Sequence, residues 1–353
     1  MKLRIAVLGS ILAAAVLSAP QTQAQTAKAG DGAPLALALR GAGATFPAPL
    51  YKKWIAAYRK VEPTTLIEYA PVGSGDGVKR FLADSVDFGA SDAAMTDDQM
   101  ASAKQGAVLV PATAGLIVLA YNLPGLNGPL KLNRSTYSAL LMGKIPRWND
   151  SRIQATNPGL NLPDREIVVV ARQDSSGTTY ALTNHLSAVS PQWRDRGPGV
   201  GKVVVWPDTA MIVRGNEGVA SRIKLSVGSI GYIEYSFARY LGLSTAHLEN
   251  KEGRFVAPSD VVGETTLAAN LSRIPANLRV FIPDPDGAES YPIISFSWLL
   301  LKERNADPAK AAALKRFVNW GLSEGQGLSS ELGYIRLPTN VAELGKAVLT
   351  RVQ

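Results

Sequence analysis

The segment GAGATFPAPLYKKW, residues 41–54, places glycines, a threonine and two prolines between an apolar stretch and an amphipathic one. Residues 35–40 are predicted to form a strand and residues 49–58 a helix, so the glycine-rich part is a strand-to-helix loop. Such a loop presents unpaired N–H groups at the positive end of a helix dipole, where an anion can bind. Helix capping is the simpler role for any single loop of this kind, because Ser, Thr, Asp and Gly are the preferred caps.

Three further loops repeat this arrangement along the chain. They are GSGDG (residues 73–77), GASD (89–92) and RQDSSGTT (172–179), and each follows a predicted strand and leads towards a helix. Small residues let a ligand approach the backbone, while the hydroxyl groups add hydrogen-bond donors. Four such loops in one chain favour a shared anion site over four independent helix caps.

The remaining sequence alternates short apolar runs with amphipathic stretches, which is typical of an α/β protein. A length of 353 residues exceeds what one hydrophobic core usually supports, so two domains are expected. The sequence contains no repeat of 20–50 residues that would indicate a solenoid. The predicted strands are residues 35–40, 66–71, 86–89, 115–121, 167–171, 201–205 and 293–301, and the predicted helices are residues 49–58, 78–83, 180–186 and 308–321.

Composition narrows the class of protein further. The chain has 46% hydrophobic and 19% charged residues and a mean hydropathy of +0.04. This composition argues against a disordered protein, a coiled coil and a polytopic membrane protein. The absence of cysteine excludes disulfides, thiol catalysis, thiolate metal sites and a lipid-modified cysteine. His185 and His247 are the only histidines, which leaves little material for a histidine-based zinc site. We expect no metal site, and we also expect no cofactor. The net charge of +8 weakly favours an anionic partner.

The first 24 residues have the order of parts found in a cleaved signal peptide. Lys2 and Arg4 precede an apolar stretch at residues 5–17, and Thr22-Gln23-Ala24 offers small residues where a signal peptidase cuts. Cleavage near Ala24 removes two of the 37 basic residues and none of the 29 acidic ones, which leaves 35 − 29 = +6. We therefore expect an exported, periplasmic protein rather than a buried N-terminal helix.

Known nucleotide and nucleophile motifs do not match the four loops. Residues 73–79 lack the spacing of a phosphate-binding P-loop, and Phe46 stands where a dinucleotide fingerprint needs its third glycine. No G-x-S-x-G elbow surrounds Ser176. An exported enzyme such as a phosphatase that uses a loop serine stays open as an alternative, although the sequence offers it no metal-ligand cluster and no base beside a nucleophile.

Seven stretches in a fixed order carry a resemblance to one known family. They are GAGATFPAPLYKKW, PVGSGDGVKRFLADSVDFGASDAAM, GKIPRWND, NPGLNLP, ARQDSSGTTY, GSIGYIEYSFA and YPIISFSWLLL. From Gly41 to the last helices, the chain resembles the PstS family of periplasmic phosphate-binding proteins. The resemblance implies the α/β fold of a type II, Venus-flytrap periplasmic binding protein, in which two lobes are joined by two crossover strands and close over one dehydrated phosphate.

The resemblance also implies which residues bind phosphate. Thr45 would act through its hydroxyl and its amide, Phe46 through its amide, and Asp174 would pair with Arg172. The sequence departs from the family at Asp76, where small uncharged residues are more usual; its carboxylate either caps a helix or acts on the ligand. The implied phosphate-binding residues are Thr45, Phe46, Ser74, Asp92, Arg172, Ser176, Gly177 and Thr178.

These residue types suit phosphate for a chemical reason. Phosphate near neutral pH carries both acceptor oxygens and at least one proton, so amides, hydroxyls and the fork of Arg172 can satisfy the oxygens. Asp92 only accepts while it is ionised, so it demands a ligand proton that sulfate lacks. A site built around such a bond can reject the analogue that lacks it by roughly 10⁴–10⁵-fold. Considered singly, Asp92 as a helix cap and Arg172 in a surface ion pair are the simpler interpretations.

The expected function is capture of inorganic phosphate in the periplasm and delivery to an ABC-type importer. The permease and the ATPase would be other chains, and the protein would be a monomer that is not an enzyme and binds no nucleic acid. A phosphate-scavenging paralogue without a transporter is a further alternative. The expected organisation is a signal peptide at residues 1–24, a first lobe at 25–113 and 291–353, and a second lobe at 114–290.

Overall fold

The computed structural model describes residues 37–353. The predicted signal peptide at residues 1–24 and the lead-in after it lie outside the described residues, as do the first two residues of the strand predicted at 35–40. Within residues 37–353, no helix is long and apolar enough to cross a membrane.

The described residues form twelve strands, most of them in a single mixed sheet. The strands are β1 (Leu37–Gly43), β2 (Thr65–Pro71), β3 (Phe88–Ser91), β4 (Val108–Tyr121), β5 (Lys131–Leu132), β6 (Val168–Arg172), β7 (Met211–Val213), β8 (Ser229–Glu234), β9 (Ser244–Thr245), β10 (His247–Glu249), β11 (Phe255–Val256) and β12 (Ile294–Leu301).

Thirteen α-helices alternate with these strands in the described part of the chain. They are α1 (Ala48–Val61), α2 (Ser74–Leu82), α3 (Asp97–Ser102), α4 (Arg134–Leu141), α5 (Ser151–Gln154), α6 (Gly177–Val189), α7 (Pro191–Arg196), α8 (Gly215–Leu225), α9 (Tyr235–Leu241), α10 (Asp260–Ala269), α11 (Pro308–Gly321), α12 (Ser329–Leu332) and α13 (Thr339–Val348).

The large sheet has the strand order β2-β1-β3-β12-β4-β8-β6-β7, with β9 paired to the end of β4. On one side β1 runs parallel to β2 and β3, and on the other side β6 runs parallel to β7 and β8. The strands between them are antiparallel: β12 to β3, and β4 to both β12 and β8. A second sheet has the order β11-β10-β5.

Strand β4 is the axis of the large sheet. All 14 of its residues are buried, which requires cover on both faces. Its first part pairs with β12 as far as Leu116, and from Ile117 onward it pairs with β8. The sequence predicted only the second part, residues 115–121, because Pro111 and Thr113 interrupt the apolar run before it. Pro111 lies opposite Trp298, where the β12 register shifts, and such an irregularity accommodates a proline in a strand.

The register of β4 determines where the strand ends meet. Because β4 is antiparallel to β8 and points the same way as β3, the two groups of parallel strands run towards each other along it. The last residue of β3 and Pro111 of β4 both pair with Trp298 of β12, which lies between them. The last residue of β8 pairs with Ile117 of β4. The loops after both groups therefore converge on the middle of β4, which is where a ligand binds in open α/β sheets.

The strand predicted at residues 201–205 is wrong. This segment is a loop without strand pairing, and Val203 and Val205 are 65% and 84% exposed. The edge of the sheet beside β6 is formed by β7, where Val170 pairs with Met211. A run of valines predicts a strand from local propensity alone, but a strand forms only where a neighbouring backbone is available for pairing.

Helices α2 and α6 begin earlier than predicted. The glycines and hydroxyl residues assigned to loops at 73–77 and 172–179 already form the first turns of these helices, from Ser74 and from Gly177. The N–H groups in the first turn of a helix have no acceptor within the helix. Because α2 and α6 begin early, these free N–H groups belong to the glycine- and hydroxyl-rich residues themselves.

Candidate functional site

The four predicted loops lie at the carboxyl ends of β1, β2, β3 and β6, and all eight predicted binding residues are buried. Thr45 is the most exposed of those with a hydroxyl or a charge, at 7%. Burial of so many polar groups is unfavourable unless each one finds a hydrogen-bond partner. The buried residues are Thr45, Phe46, Ser74, Asp92, Arg172, Ser176, Gly177 and Thr178.

Close contacts join the second, third and fourth loops. The Asp92 N–H donates to Ser74 Oγ at 3.1 Å, and this hydroxyl lies 3.3 Å from Asp92 Oδ2. A Cβ atom on Gly177 would lie 2.4 Å from Ser74 Oγ and 2.6 Å from the Asp92 Cβ, so only glycine fits there. The Gly75 N–H donates to the Ser175 carbonyl at 2.8 Å, which ties the loop after β2 to the loop after β6.

Four backbone N–H groups at the site have no acceptor among residues 37–353. They belong to Thr45 and Phe46, just before α1, and to Gly177 and Thr178, the first two residues of α6. Each group therefore offers a donor inside a buried region. Donors of this kind, added to the positive end of a helix dipole, make a site for an anion.

Ser176 caps helix α6. Its Oγ accepts the Thr179 N–H at 3.0 Å, so the capping role that the sequence allowed for this loop is present. A hydroxyl that accepts a cap bond keeps its own proton for donation. The two roles, helix cap and anion donor, are therefore compatible in one side chain.

Arg172 is held by a buried ion pair. Its Nε and Nη2 donate to the two oxygens of Asp174 at 2.8 and 2.5 Å, and the side chains are 1% and 6% exposed. Burial acts to raise the pKa of Asp174, but the hydrogen bonds and charge of Arg172, with the Gly215 N–H at 3.0 Å, outweigh it and lower that pKa. Gly73 has a φ of +103°, and a Cβ there would lie 2.5 Å from Asp174 Oδ2.

Asp92 follows β3, whereas the ion pair follows β6, and both lie in the buried region formed by the four loops. Its Oδ1 accepts the Ser297 hydroxyl at 2.8 Å. Burial raises the pKa of Asp92 to about 7, against the hydrogen bond from Ser297 and the charge of Arg172, which act to lower it. The contact of Ser74 with Oδ2 is long, so this oxygen keeps the capacity to accept a proton from a ligand.

Sequence reasoning missed Asn216, which is fully buried at the start of α8. Its Nδ2 donates to the hydroxyls of Thr45 and Thr178, at 2.9 and 3.1 Å. The signal for it was a fifth strand-to-helix junction, Val213-Arg-Gly-Asn216, which follows the short strand β7. Only three residues long, β7 has too little apolar pattern to be recognised in the sequence.

Lys202 is a second residue that the sequence did not single out. Its carbonyl accepts the Ser176 N–H at 2.9 Å, so the loop at 201–205 lies against the start of α6. Burial lowers the pKa of Lys202, while the charge of Asp92 acts to raise it.

A chain of hydrogen bonds connects the first loop to buried Glu234. The Tyr334 hydroxyl donates to the Phe46 carbonyl at 2.6 Å, and Ser236 Oγ lies 3.1 Å from the same hydroxyl. Glu234 Oε2 accepts the Ser236 N–H at 2.9 Å, whereas its Oε1 has no partner within residues 37–353. Burial raises the pKa of Glu234 to about 8, although the bonds from Ser236 act to lower it.

The remaining candidates lie away from this constellation. Asp76 is exposed in the first turn of α2, where a carboxylate interacts favourably with the helix dipole. His185 is buried between the Tyr137 hydroxyl, at 2.8 Å from Nε2, and the Pro283 carbonyl, at 2.6 Å from Nδ1. Burial lowers its pKa to about 4, as in a core histidine. His247 lies in β10, and the described residues contain no cluster of metal-binding side chains.

Comparison with known proteins gives the class first. A family model described as a PBP superfamily domain matches residues 18–324, so the chain is a member of this superfamily. A solved periplasmic phosphate-binding protein, PfluDING with bound phosphate, has a TM-score of 0.72 at 21% identity and covers 88% of this chain and 93% of its own. The predicted two-lobed α/β fold of the periplasmic binding proteins is confirmed.

Curated relatives give the particular family. Phosphate-binding protein PstS of Haemophilus influenzae is 37% identical over 310 residues, which cover 88% of this chain and 91% of the relative. PstS of Pasteurella multocida is 38% identical over 309 residues, with coverage of 86% and 88%. The chain belongs to the PstS family of phosphate-binding proteins, as the resemblance in the sequence predicted.

The buried carboxyl of Glu234 makes a testable contribution to stability. Because its pKa is raised to about 8 in the folded protein, the unfolded chain releases this proton at lower pH, and the free energy of unfolding should fall between about pH 4.5 and 8. Glu234→Gln should remove this fall and stabilise the ligand-free protein at pH 8 by on the order of 4 kcal/mol. Urea unfolding at several pH values measures the difference.

Glu264, an exposed residue of α10, provides the matched control. Glu264→Gln should leave the pH dependence of the unfolding free energy as it is in the unsubstituted protein. Parallel curves for the unsubstituted protein and Glu234→Gln would contradict a proton held by Glu234.

Proposed function

We propose that this protein binds inorganic phosphate in the cleft formed by the four loops and delivers it to an ABC-type importer. The observation that carries the proposal is the buried set of donors without acceptors, at Thr45, Phe46, Gly177 and Thr178, beside one ionised arginine and one carboxyl group. An enclosed dianion needs such donors on nearly every oxygen. Relatives at 37 and 38% identity are named for phosphate binding.

Each part of the site has a separate role in this proposal. The free amides and four hydroxyl groups donate to phosphate oxygens, and the guanidinium of Arg172 supplies the formal positive charge. The hydroxyl groups are those of Thr45, Ser74, Ser176 and Thr178. Asp174 orients that guanidinium and neutralises it, so recognition depends mainly on neutral dipoles. Asp92 Oδ2 accepts the proton of the ligand and thereby excludes fully ionised sulfate.

The proposed setting follows from the family and the sequence. The chain is exported, is cleaved near Ala24 and acts in the periplasm as a monomer with a net charge of +6. Its partners are the permease subunits of an ABC importer with a separate ATPase, and it needs no cofactor. We assign the first lobe to residues 25–113 and 291–353 and the second to 114–290, a division supported by the change of β4 from pairing with β12 to pairing with β8.

We also propose that the protein is not an enzyme. The serine best placed to act as a nucleophile, Ser176, accepts a helix-cap bond, and within residues 37–353 no histidine lies in hydrogen-bond contact with it. The relatives are named as binding proteins. Titration with labelled phosphate, together with a phosphatase assay on the same sample, tests both statements. Saturable binding without hydrolysis is expected, and hydrolysis without retention of phosphate would overturn the proposal.

Asp92→Asn should reduce discrimination between phosphate and sulfate. The amide keeps the shape of the carboxylate but can donate a hydrogen bond, so sulfate loses its main penalty. A preference of roughly 10⁴–10⁵ for the protonated ligand should shrink by at least about 100-fold. Competition titrations at neutral pH measure it, with the exposed Asp195→Asn as a control. If Asn at position 92 excludes sulfate as firmly as Asp does, Asp92 has only a structural role.

Arg172 and Asp174 should behave as a coupled pair. Arg172→Ala should weaken phosphate binding by on the order of 2–5 kcal/mol, because the buried anion loses its charged donor. Asp174→Ala should have a smaller effect, since the guanidinium remains but loses its orientation. A double-mutant cycle by calorimetry should give a clear coupling energy. Strictly additive losses would mean that the ion pair does not organise the site.

Phosphate should close the two lobes. Loops from both halves of the sheet contribute donors, so an open form would separate the Gly75 amide from the Ser175 carbonyl that it now contacts. Small-angle scattering should give a smaller radius of gyration with phosphate than without it. An identical profile in a sample that demonstrably binds phosphate would exclude closure.

A further inference from the structure

Asn216 connects two of the predicted ligand hydroxyls across the cleft. Its side-chain Nδ2 donates to Thr45 Oγ1 at 2.9 Å and to Thr178 Oγ1 at 3.1 Å, and its backbone N–H also donates to Thr45 Oγ1, at 3.2 Å. Thr45 comes from the loop after β1, whereas Thr178 and Asn216 come from the starts of α6 and α8. One fully buried side chain therefore joins the first loop to the other half of the sheet.

The orientation of the Asn216 amide follows from its remaining bond. The Oδ1 atom accepts the backbone N–H of Glu234 at 3.0 Å. A backbone N–H is always a donor, so the atom that it meets must be the oxygen, and the nitrogen must face the threonines. Both side-chain bonds therefore run from Asn216 to the hydroxyl oxygens, and the reverse assignment would set a donor against a donor.

Counting donors and acceptors then determines what the hydroxyls can do. A threonine hydroxyl has two lone pairs and one proton. Thr45 Oγ1 accepts two bonds from Asn216, and Thr178 Oγ1 accepts one from Asn216 and a longer one, at 3.4 Å, from Arg172 Nη1. Neither hydroxyl donates to an acceptor within residues 37–353. Each proton is therefore available for a ligand, and each oxygen is already occupied.

We propose that Asn216 is a positioning residue that commits the hydroxyls of Thr45 and Thr178 to donating towards phosphate, an inference that rests on the proposed function. A hydroxyl without this neighbour can rotate and present a lone pair to the anion, which is repulsive. With its lone pairs occupied, the same hydroxyl can only donate. Asn216 thus sets the direction of hydrogen bonding on the donor side of the site, as Asp92 does on the acceptor side.

Two substitutions at position 216 test whether Asn216 sets the direction of the threonine hydrogen bonds or only packs in the protein interior. Asn216→Ala removes the two side-chain bonds and leaves each hydroxyl with only its longer bond, from the backbone N–H of residue 216 to Thr45 and from Arg172 to Thr178. It should weaken phosphate binding about 10-fold, because both hydroxyls can then rotate more freely. Asn216→Asp keeps the shape but presents an acceptor, which draws the two threonine protons away from the ligand. It should weaken binding at least about 100-fold. Calorimetric titration with inorganic phosphate measures both, and an equal or smaller loss for Asn216→Asp than for Asn216→Ala would overturn the inference.

The decisive measurement repeats Asn216→Ala in a protein that lacks the two hydroxyls. In a Thr45→Val, Thr178→Val background, removal of Asn216 should change the phosphate affinity by less than about 2-fold, because nothing remains for it to orient. The same loss of affinity in both backgrounds would mean that Asn216 only supports the fold, and would overturn the proposal.

Asn157 offers a matched control. It is buried like Asn216, and it also uses both ends of its amide, accepting the Lys131 N–H at 2.8 Å and donating to the Lys131 carbonyl at 2.7 Å, but none of its bonds reaches the four loops. Asn157→Ala should lower thermal stability without changing phosphate affinity. Failure of the unsubstituted protein to bind phosphate would contradict the proposed function itself, whereas binding that is unaffected by every change at position 216 would contradict only this inference.

Discussion

The buried ion pair between Arg172 and Asp174 is the interaction on which the site depends. A guanidinium that is 1% exposed is stable only beside a carboxylate, and Asp174 occupies two of its N–H groups in a fixed geometry. The same carboxylate accepts the Gly215 N–H and lies against Gly73, so it also holds the loops after β7 and β2. Three loops are thus positioned around one pair of charges.

The direction of the hydrogen bonds distinguishes this site from a merely polar cavity. The amides of Phe46 and Gly177 can only donate, and the Asn216 amide leaves the hydroxyl of Thr178 with only its proton to offer. Asp92 provides the opposite character, because its buried carboxyl group accepts hydrogen bonds while it is ionised; burial raises its pKa to about 7, so the ionised form prevails above that pH. An anion that carries both unprotonated oxygens and a proton matches the donor groups as well as the acceptor. Phosphate near neutral pH is such an anion.

Much of this was available from the sequence because it is local. The glycine- and hydroxyl-rich loops at 41–49 and 172–179, each between an apolar strand and a helix, predicted helix-terminal donors, and motif order predicted the family. The helix at Pro308–Gly321 has the predicted bounds because a proline begins it and a glycine ends its apolar pattern. The division into lobes and the roles of the individual site residues stay predictions.

Non-local contacts decided what the sequence left open. Residues 201–205 form no strand because they pair with no neighbouring strand, whereas β7 pairs with β6. Asn216 contacts the first loop only because α8 starts beside Thr45, 171 residues away along the chain. Local propensity reports how a segment prefers to fold, but a hydrogen bond between distant segments depends on the register of β4, which brings two sets of strand ends together. The sequence by itself determined the chemistry of the loops, whereas the tertiary structure determined which atoms donate and which accept.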